Sequence, residues 1–375
     1  MIIGIPKEIL NEEHRVAALP ENVEKYVSMG FKVLVESGAG RDVFVSDTQY
    51  ARAGAEVVED APALFTRSDI ILKVKQPVMN EAVGRHEADL LREGAMLITF
   101  LHPAAPANHE MVRRLRDRRI TSFTMDGIPR ISRAQKMDAL TSMSTVTGYK
   151  AVLLAANHFP RFVPMIGTSI GVIQPASVLV VGAGIVGLQA IATARRLGAR
   201  VSALDIRAQA RQEAGSLKAA VLDFEVPDEL AVGEGGYAKA LPAEWLDKER
   251  VLLEKVVHDT DILILSALVP GEVAPLLITA EMVRGMRPGS VIMDISIDQG
   301  GNCALTVPGR ECVEHGVYIC GTANIPGSMA VHASWLYANN MFHYVENLFK
   351  DGMARIDFND EILSLIHISE PTRPY

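Results

Sequence analysis

Cysteine is scarce in this chain: Cys303, Cys312 and Cys320 are the three thiols among 375 residues. Three cannot build a disulfide framework, and none stands in C-x-x-C spacing, so a stapled secreted scaffold and a structural zinc site are both excluded. A reducing, cytosolic setting fits. Positive charge is also short. Lys and Arg number 37 against 45 Asp and Glu, a net charge of −8. That balance is poor for gripping a polyanion, and nucleic acid is not an expected partner. The start, Met1 to Glu8, meets charge before any long apolar run, unlike a secretory signal. The stretch Phe162–Ala194 carries no charge, but Pro164, Pro175, Gly182, Gly184 and Gly187 interrupt it, as do Gln174 and Gln189. It reads as a buried strand plus helix rather than a membrane span.

Hydrophobic residues make up 49% and charged residues 22%, a globular composition, and the length favours two domains. Strand-like runs at Ile2–Gly4, Lys32–Glu36, Asp69–Lys75, Ala95–Leu101 and Ile120–Asp126 alternate with helix-like Glu21–Met29, Thr48–Ala53 and Asn108–Asp117. A second series has strands at Val178–Val181, Val201–Asp205, Val221–Phe224, Ile262–Ser266, Val291–Ile295 and Val317–Cys320. Alternation of this kind predicts α/β architecture: two Rossmann-like domains with doubly wound parallel sheets and a cofactor cleft between them. The expected domains are 1–143 with a returning segment, 334–362, and 144–333. Residues 226–242 form a long glycine-bearing break, usually functional or disordered. The end, 363–375, looks like the in-frame translation of a sequencing-library adapter; it is set outside the fold, with the natural chain expected to continue past Ile362. A native flexible tail is the alternative.

The strongest local signal is Gly182-Ala183-Gly184-Ile185-Val186-Gly187, between the apolar run Val178–Val181 and a helix-like segment. In that setting Gly182 makes a tight turn, Gly184 admits a pyrophosphate to the backbone and Gly187 lets helix pack on strand. The anion then sits at a helix N-terminus. Asp205 ends the next strand, where a carboxylate accepts from ribose hydroxyls and repels a 2′-phosphate. NAD(H) is expected over NADP(H), although Arg207, two residues on, could accommodate that phosphate.

Arg130-Ile-Ser-Arg-Ala-Gln-Lys-Met-Asp138 closely resembles the "RAQ loop" of the proton-translocating (Re/Si-specific) NAD(P) transhydrogenases, in the NAD(H)-binding domain I of their alpha subunit. Gly235-Gly236-Tyr237-Ala-Lys239 resembles that family's mobile loop, and Ala267-Leu268-Val-Pro-Gly271 and Gly300-Gly-Asn-Cys303 match its pattern. The resemblance spans about residues 1–362. It implies that Arg130, Gln135 and Asp138 reach the nicotinamide end of NAD(H), and that Thr141 stands where Ser is common. Tyr237 would fold over the nucleotide, while the glycine motif, Asp205, Ile206, Arg207, Gly236, Ala267 and Leu268 line its site. It further implies direct hydride transfer to NADP(H) held by a partner, the transhydrogenase beta subunit with its membrane proton channel. A homodimer is implied too, as is a cytoplasmic chain attached peripherally to the inner membrane through its partners. No metal is expected.

On residue chemistry alone, Gln135 offers donor and acceptor to a carboxamide and Arg130 a permanent charge. A surface ion pair of Arg130 with Asp126 or Asp138 is the plainer reading. Alanine dehydrogenase, a fold relative, is the competing activity: Arg15, Lys75, His102 and Asp298 match its catalytic positions. Arg15 and Lys75 would bind a carboxylate, His102 would act as acid and base, and Asp298 would order ammonia or water. The RAQ and Gly-Gly-Tyr-Ala-Lys segments fall outside that pattern. A non-catalytic NAD(H)-sensing subunit is the third reading.

Overall fold

The computed structural model describes residues 1–369 apart from 104, 270, 351, 352, 355, 356 and 358. The chain divides into two compact units: Met1–Met143 with the chain from Pro326 onward, and Ser144–Ile325. Each is an α/β unit built on a largely parallel sheet.

In the first unit, β1 (Ile2–Ile5), β2 (Lys32–Glu36), β3 (Glu56–Val58), β4 (Ile70–Leu72), β5 (Met96–Thr99) and β6 (Thr121–Thr124) pair in parallel in the order β3-β2-β1-β4-β5-β6. Strands such as Ile70-Ile71-Leu72 are buried at every residue, as a sheet covered on both faces demands. Helices Asp47–Arg52 and Ala61–Arg67 start on side-chain caps: Ser46 reciprocates with Gln49, and Asp60 accepts the Ala63 N–H at 2.8 Å. Neither β3 nor the 61–67 helix stands out in the sequence, because three residues are too few to display an alternation and seven barely two turns.

The second unit holds β7 (Ser177–Val181), β8 (Arg200–Leu204), β9 (Ala220–Val221), β10 (Ile262–Leu265), β11 (Val291–Asp294), β12 (Glu311–Glu314) and β13 (Val317–Cys320). Their order is β9-β8-β7-β10-β11-β13-β12, all parallel but for β12, which closes the edge antiparallel to β13. Alternate residues of β7 enter opposite cores: Val178 and Val180 pack with Ala190 and Ile191, Leu179 and Val181 with Leu253 and Val257. The uncharged 162–194 stretch divides. Its second half is β7 and the helix Ile185–Arg196, but its first half is a hairpin, Ile166–Thr168 with Gly171–Ile173, whose tip residue Ile170 is 97% exposed. Among the described residues no helix is long and apolar enough to cross a membrane.

The helix Ala139–His158 carries the chain out of the first unit, and the chain returns at Pro326. The returning helix Ala330–Leu348 is fastened by polar bonds as well as burial. Ser334 Oγ accepts from the Val16 N–H at 3.0 Å, Tyr337 donates to the Lys73 carbonyl at 2.7 Å, and Asn340 donates to the Lys136 carbonyl at 2.8 Å. At the end of the chain Leu363 is buried, and strand β14 (His367–Ser369) pairs antiparallel with β6. A sheet edge offers backbone donors and acceptors to any extended segment, whatever its side chains. Residues 370–375 of that tail lie outside the described residues.

Candidate nucleotide site

The glycine loop follows β7 where the strand order reverses, between β7 and β10, the crevice in which open α/β sheets bind ligands. Its three glycines meet different surroundings. Gly182 has φ +88°, and a Cβ there would lie 2.6 Å from the Ser266 carbonyl oxygen. A Cβ on Gly187 would lie 1.9 Å from the Gly182 oxygen, so no other residue fits where the helix meets the loop. A Cβ on Gly184 would find nothing nearer than the Arg207 guanidinium at 3.9 Å. Gly184 is the N-cap of the 185–196 helix and offers no side chain to its N–H groups. Open space before uncapped amides is what a pyrophosphate requires. Ile185 and Val186 form the half-buried first turn.

Asp205 follows β8 and is buried. Its Oδ2 accepts the Ala183 N–H at 2.7 Å and Arg207 Nη2 at 2.8 Å; its Oδ1 accepts the Arg207 N–H at 2.8 Å and Nε at 3.0 Å. Burial disfavours the Arg207 cation, but its bonds to Asp205 outweigh that and raise its pKa. Arg207 also reaches the loop: Nη1 donates to the Gly236 carbonyl at 3.3 Å. Ile206 between them packs against the core that holds Leu253. The 226–242 break is ordered as a short helix, Asp228–Ala231, then a turn closed by a Val232–Ala238 bridge. Gly235 and Gly236 have φ of +64° and +76°, the Gly233 N–H donates to the Tyr237 carbonyl at 2.8 Å, and the Tyr237 ring lies against Gly235. After β10, Ala267 and Leu268 are half-buried; Pro270 of that segment lies outside the described residues.

The RAQ segment belongs to the first unit as a 3-10 turn, Ser132–Met137, docked on the returning helix through Asn340. Arg130 and Gln135 are exposed. Asp138 and Thr141 engage one another: the carboxylate accepts the Thr141 N–H at 2.8 Å and its hydroxyl at 2.5 Å, capping the 139–158 helix. Neither acid suggested as a plain partner for Arg130 is idle, since Asp126 binds His102.

Of the four competing positions, Arg15 is buried and spent on Glu13, with Nε to Oε1 at 2.7 Å and Nη2 to Oε2 at 2.5 Å. Burial alone would raise the Glu13 pKa; the bonds and charge of Arg15 outweigh it and lower it. His102 sits at φ +45°, stacked on Phe100, with Nδ1 2.7 Å from Asp126 Oδ1. Burial pushes the Asp126 pKa up, and His102 pulls it below the ordinary carboxylate value. Lys75 is half-buried; Asp298, on the second unit, is exposed.

The family description "Alanine dehydrogenase/PNT, N-terminal domain" matches residues 4–147, and "Alanine dehydrogenase/PNT, C-terminal domain" matches residues 151–370. The chain belongs to the alanine dehydrogenase/PNT family. Among its relatives, the first of the NAD(P) transhydrogenase alpha-subunit polypeptides of Rhodospirillum rubrum is 44% identical over 347 residues, 92% of this chain and 89% of that one. The alanine dehydrogenase of Methanococcus maripaludis is more distant, 32% identical over 360 residues, 94% of this chain and 88% of that one. The crystal structure of a transhydrogenase from Sinorhizobium meliloti superposes with a TM-score of 0.86 at 37% identity, covering 99% of both chains. Membership in the alanine dehydrogenase/PNT family brings nicotinamide-nucleotide binding and an oxidoreductase-related role with it.

Two structural roles in this family member were not read from the sequence, although one falls in the Gly300–Cys303 motif. Asn302 is wholly buried; it accepts the Ala267 N–H at 3.1 Å and donates to the Ala267 and Pro275 carbonyls at 2.9 and 2.8 Å. Asp294, at the end of β11, takes the N–H groups of Ser296, Asn302 and Cys303. Together they brace the segment after β10. Gly148 is the other: a Cβ there would lie 2.2 Å from the Val186 carbonyl, so this glycine lets the 139–158 helix meet the nucleotide-site helix. A lone glycine in a helical run was the available signal.

Proposed function

We propose that the chain is the NAD(H)-binding component of a Re/Si-specific, proton-translocating NAD(P)+ transhydrogenase. The observation that carries this is the greater likeness to transhydrogenase alpha subunits, 44% identity against 32% for the alanine dehydrogenase over similar spans. NADP(H) would be held by a partner domain of the beta subunit, next to a membrane proton channel, with this chain a homodimer peripheral to the inner membrane. The reaction is hydride transfer between two nicotinamides. No proton is exchanged at the reacting carbons, so the chain need supply no general acid or base. Its contribution is positioning and exclusion of water. Gly182, Gly184, Gly187 and the free amides after Gly184 would hold the pyrophosphate and Asp205 the ribose. Arg130, Gln135 and Asp138 with Thr141 would orient the nicotinamide, and Tyr237 would cover it.

The His102–Asp126 pair favours a second reading, alanine dehydrogenase, in which a carboxylate-held imidazole moves protons for deamination. One experiment separates the two. Purified chain is given NADH, with either an NADP(H)-binding domain, NADP+ and an acetylpyridine analogue of NAD+, or pyruvate and ammonium. Turnover is expected in the first mixture only. Turnover only in the second would return Lys75, His102 and Asp298 to catalysis. NADH binding with silence in both would indicate a sensor.

A further inference from the structure

We infer that Arg207 is an internal competitor for the ribose site, and that its displacement by the nucleotide releases the loop Gly233–Tyr237. The inference rests on the reading of Asp205 as the ribose acceptor and goes beyond it.

An ionised carboxylate has about four acceptor positions. Those of Asp205 are all taken, two by backbone N–H groups (Ala183, Arg207) and two by the Arg207 side chain (Nε, Nη2). A ribose diol can therefore bond to Asp205 only by evicting a donor. The backbone amides are fixed by the glycine loop and by the turn after β8; the guanidinium hangs on a flexible stem. The guanidinium leaves.

Its departure is felt at a second place. The guanidinium is a rigid planar fork. The same group that grips Asp205 through Nε and Nη2 holds the Gly236 carbonyl through Nη1 at 3.3 Å. It cannot abandon one and keep its geometry at the other. The loop it holds is a small closed turn, with Gly233 N–H to the Tyr237 carbonyl at 2.8 Å, Gly236 N–H to the Gly233 carbonyl at 3.3 Å, and Lys239 N–H to the Ala231 carbonyl at 3.0 Å. With glycines at 233, 235 and 236, it has the backbone freedom to swing as one piece. Filling the ribose site and freeing the loop are thus one event. In the same movement a cation becomes available beside the ribose.

The test is Arg207→Gln, with Arg207→Lys beside it, read by NADH affinity and by hydrogen–deuterium exchange of the 232–239 amides without nucleotide. Removing the competitor is expected to tighten NADH binding about tenfold, the scale of a bond to a charged group, and to raise nucleotide-free exchange in the loop severalfold. Lys keeps the charge but not the fork, and falls between; it also carries the test if the Gln variant does not fold. The sign is diagnostic, because losing a merely structural arginine would weaken binding. Unchanged or weaker NADH binding overturns the displacement. Tighter binding with unaltered loop exchange overturns the coupling. Absence of NADH binding by the unmodified chain would instead remove the nucleotide reading on which the inference rests.

Discussion

The two sheets of this chain share the strand order around their centres. Counting within each unit, both run 3-2-1-4-5, the first then ending 6-7 and the second 7-6, and both have a switch point between strands 1 and 4. What fills that point differs. In the second unit it is glycine and free backbone amide. In the first, β1 leads into Pro6-Lys7-Glu8, and the space holds buried charge: Glu8 accepts the Val74 N–H at 2.6 Å, and Lys73 lies 2.9 Å from Glu87 and 3.3 Å from Glu8. Burial disfavours the Lys73 ammonium, but the two carboxylates outweigh it and raise its pKa. The same topology makes a glycine-lined turn in one place and a buried ionic knot in the other. Under the proposed function, nucleotide binding resides in the loop after the first strand, not in the sheet order.

Removing one side of that comparison gives the largest effect. Lys73→Met leaves Glu8 and Glu87 buried without their cation and is expected to cost about 3–5 kcal/mol, much of a domain's stability. Chemical denaturation measures it, and NADH affinity of the folded fraction should not move. Gly187→Ala acts on the other side. Its Cβ meets a carbonyl oxygen at 1.9 Å, and backbone cannot turn away. A loss of about 3 kcal/mol and an NADH affinity lower by on the order of 100-fold are expected. Gly4→Ala is the matched control in β1, where the added carbon meets Ser68 Oγ at 2.2 Å. It should destabilise and leave the affinity of folded protein intact. Equal affinity losses at both glycines would erase the distinction between the two switch points.

The glycine turn at the end of β7 was legible because its spacing is local. Gly182, Gly184 and Gly187 carry their spacing in six consecutive residues, and Asp205 lies one strand further on. The ionic knot was not, since Glu8, Lys73 and Glu87 are distant in sequence and read singly as surface charges. Nor does spacing reveal that Arg207 saturates Asp205, because a side chain two residues away can point anywhere. Core strands such as Val178–Val181 announced themselves by unbroken apolar runs, whereas β3 and β12 are too short and polar to do so, and the 166–173 hairpin carries apolar residues that the fold leaves exposed. At the chain end, the likeness of 363–375 to a translated adapter concerns its origin, on which the pairing of His367–Ser369 with β6 does not bear, because strand pairing is read by backbone.

Glu249 sharpens the comparison through pH. It is buried on the helix Ala243–Val257 in the second unit, and burial first, then the charge of Asp205, push its pKa from 4.5 to about 7. A carboxyl whose folded-state pKa is raised contributes stability below its unfolded value and loses it as pH climbs to the folded value. The second unit should weaken between about pH 4.5 and 7. Glu249→Gln should flatten that slope and gain about 2–3 kcal/mol by about pH 8. Thermal melts across pH check it; parallel curves for both proteins would show that Glu249 does not titrate in this window.

The smallest effect concerns the RAQ segment, which lies in the unit without the glycine turn. Asp138 caps the 139–158 helix through Thr141. Losing a cap costs about 1 kcal/mol, and Asn caps nearly as well as Asp. Asp138→Ala should therefore lower the melting temperature by a few degrees, while Asp138→Asn holds it close to wild type. The Asn variant is then a folded protein without the charge, in which hydride transfer can be measured free of any stability change. Slower transfer with NADH affinity retained would give the carboxylate a part in orienting the nicotinamide. Unchanged transfer would reduce Asp138 to a cap. Equal melting losses in both variants would show that charge, rather than capping geometry, holds the helix start.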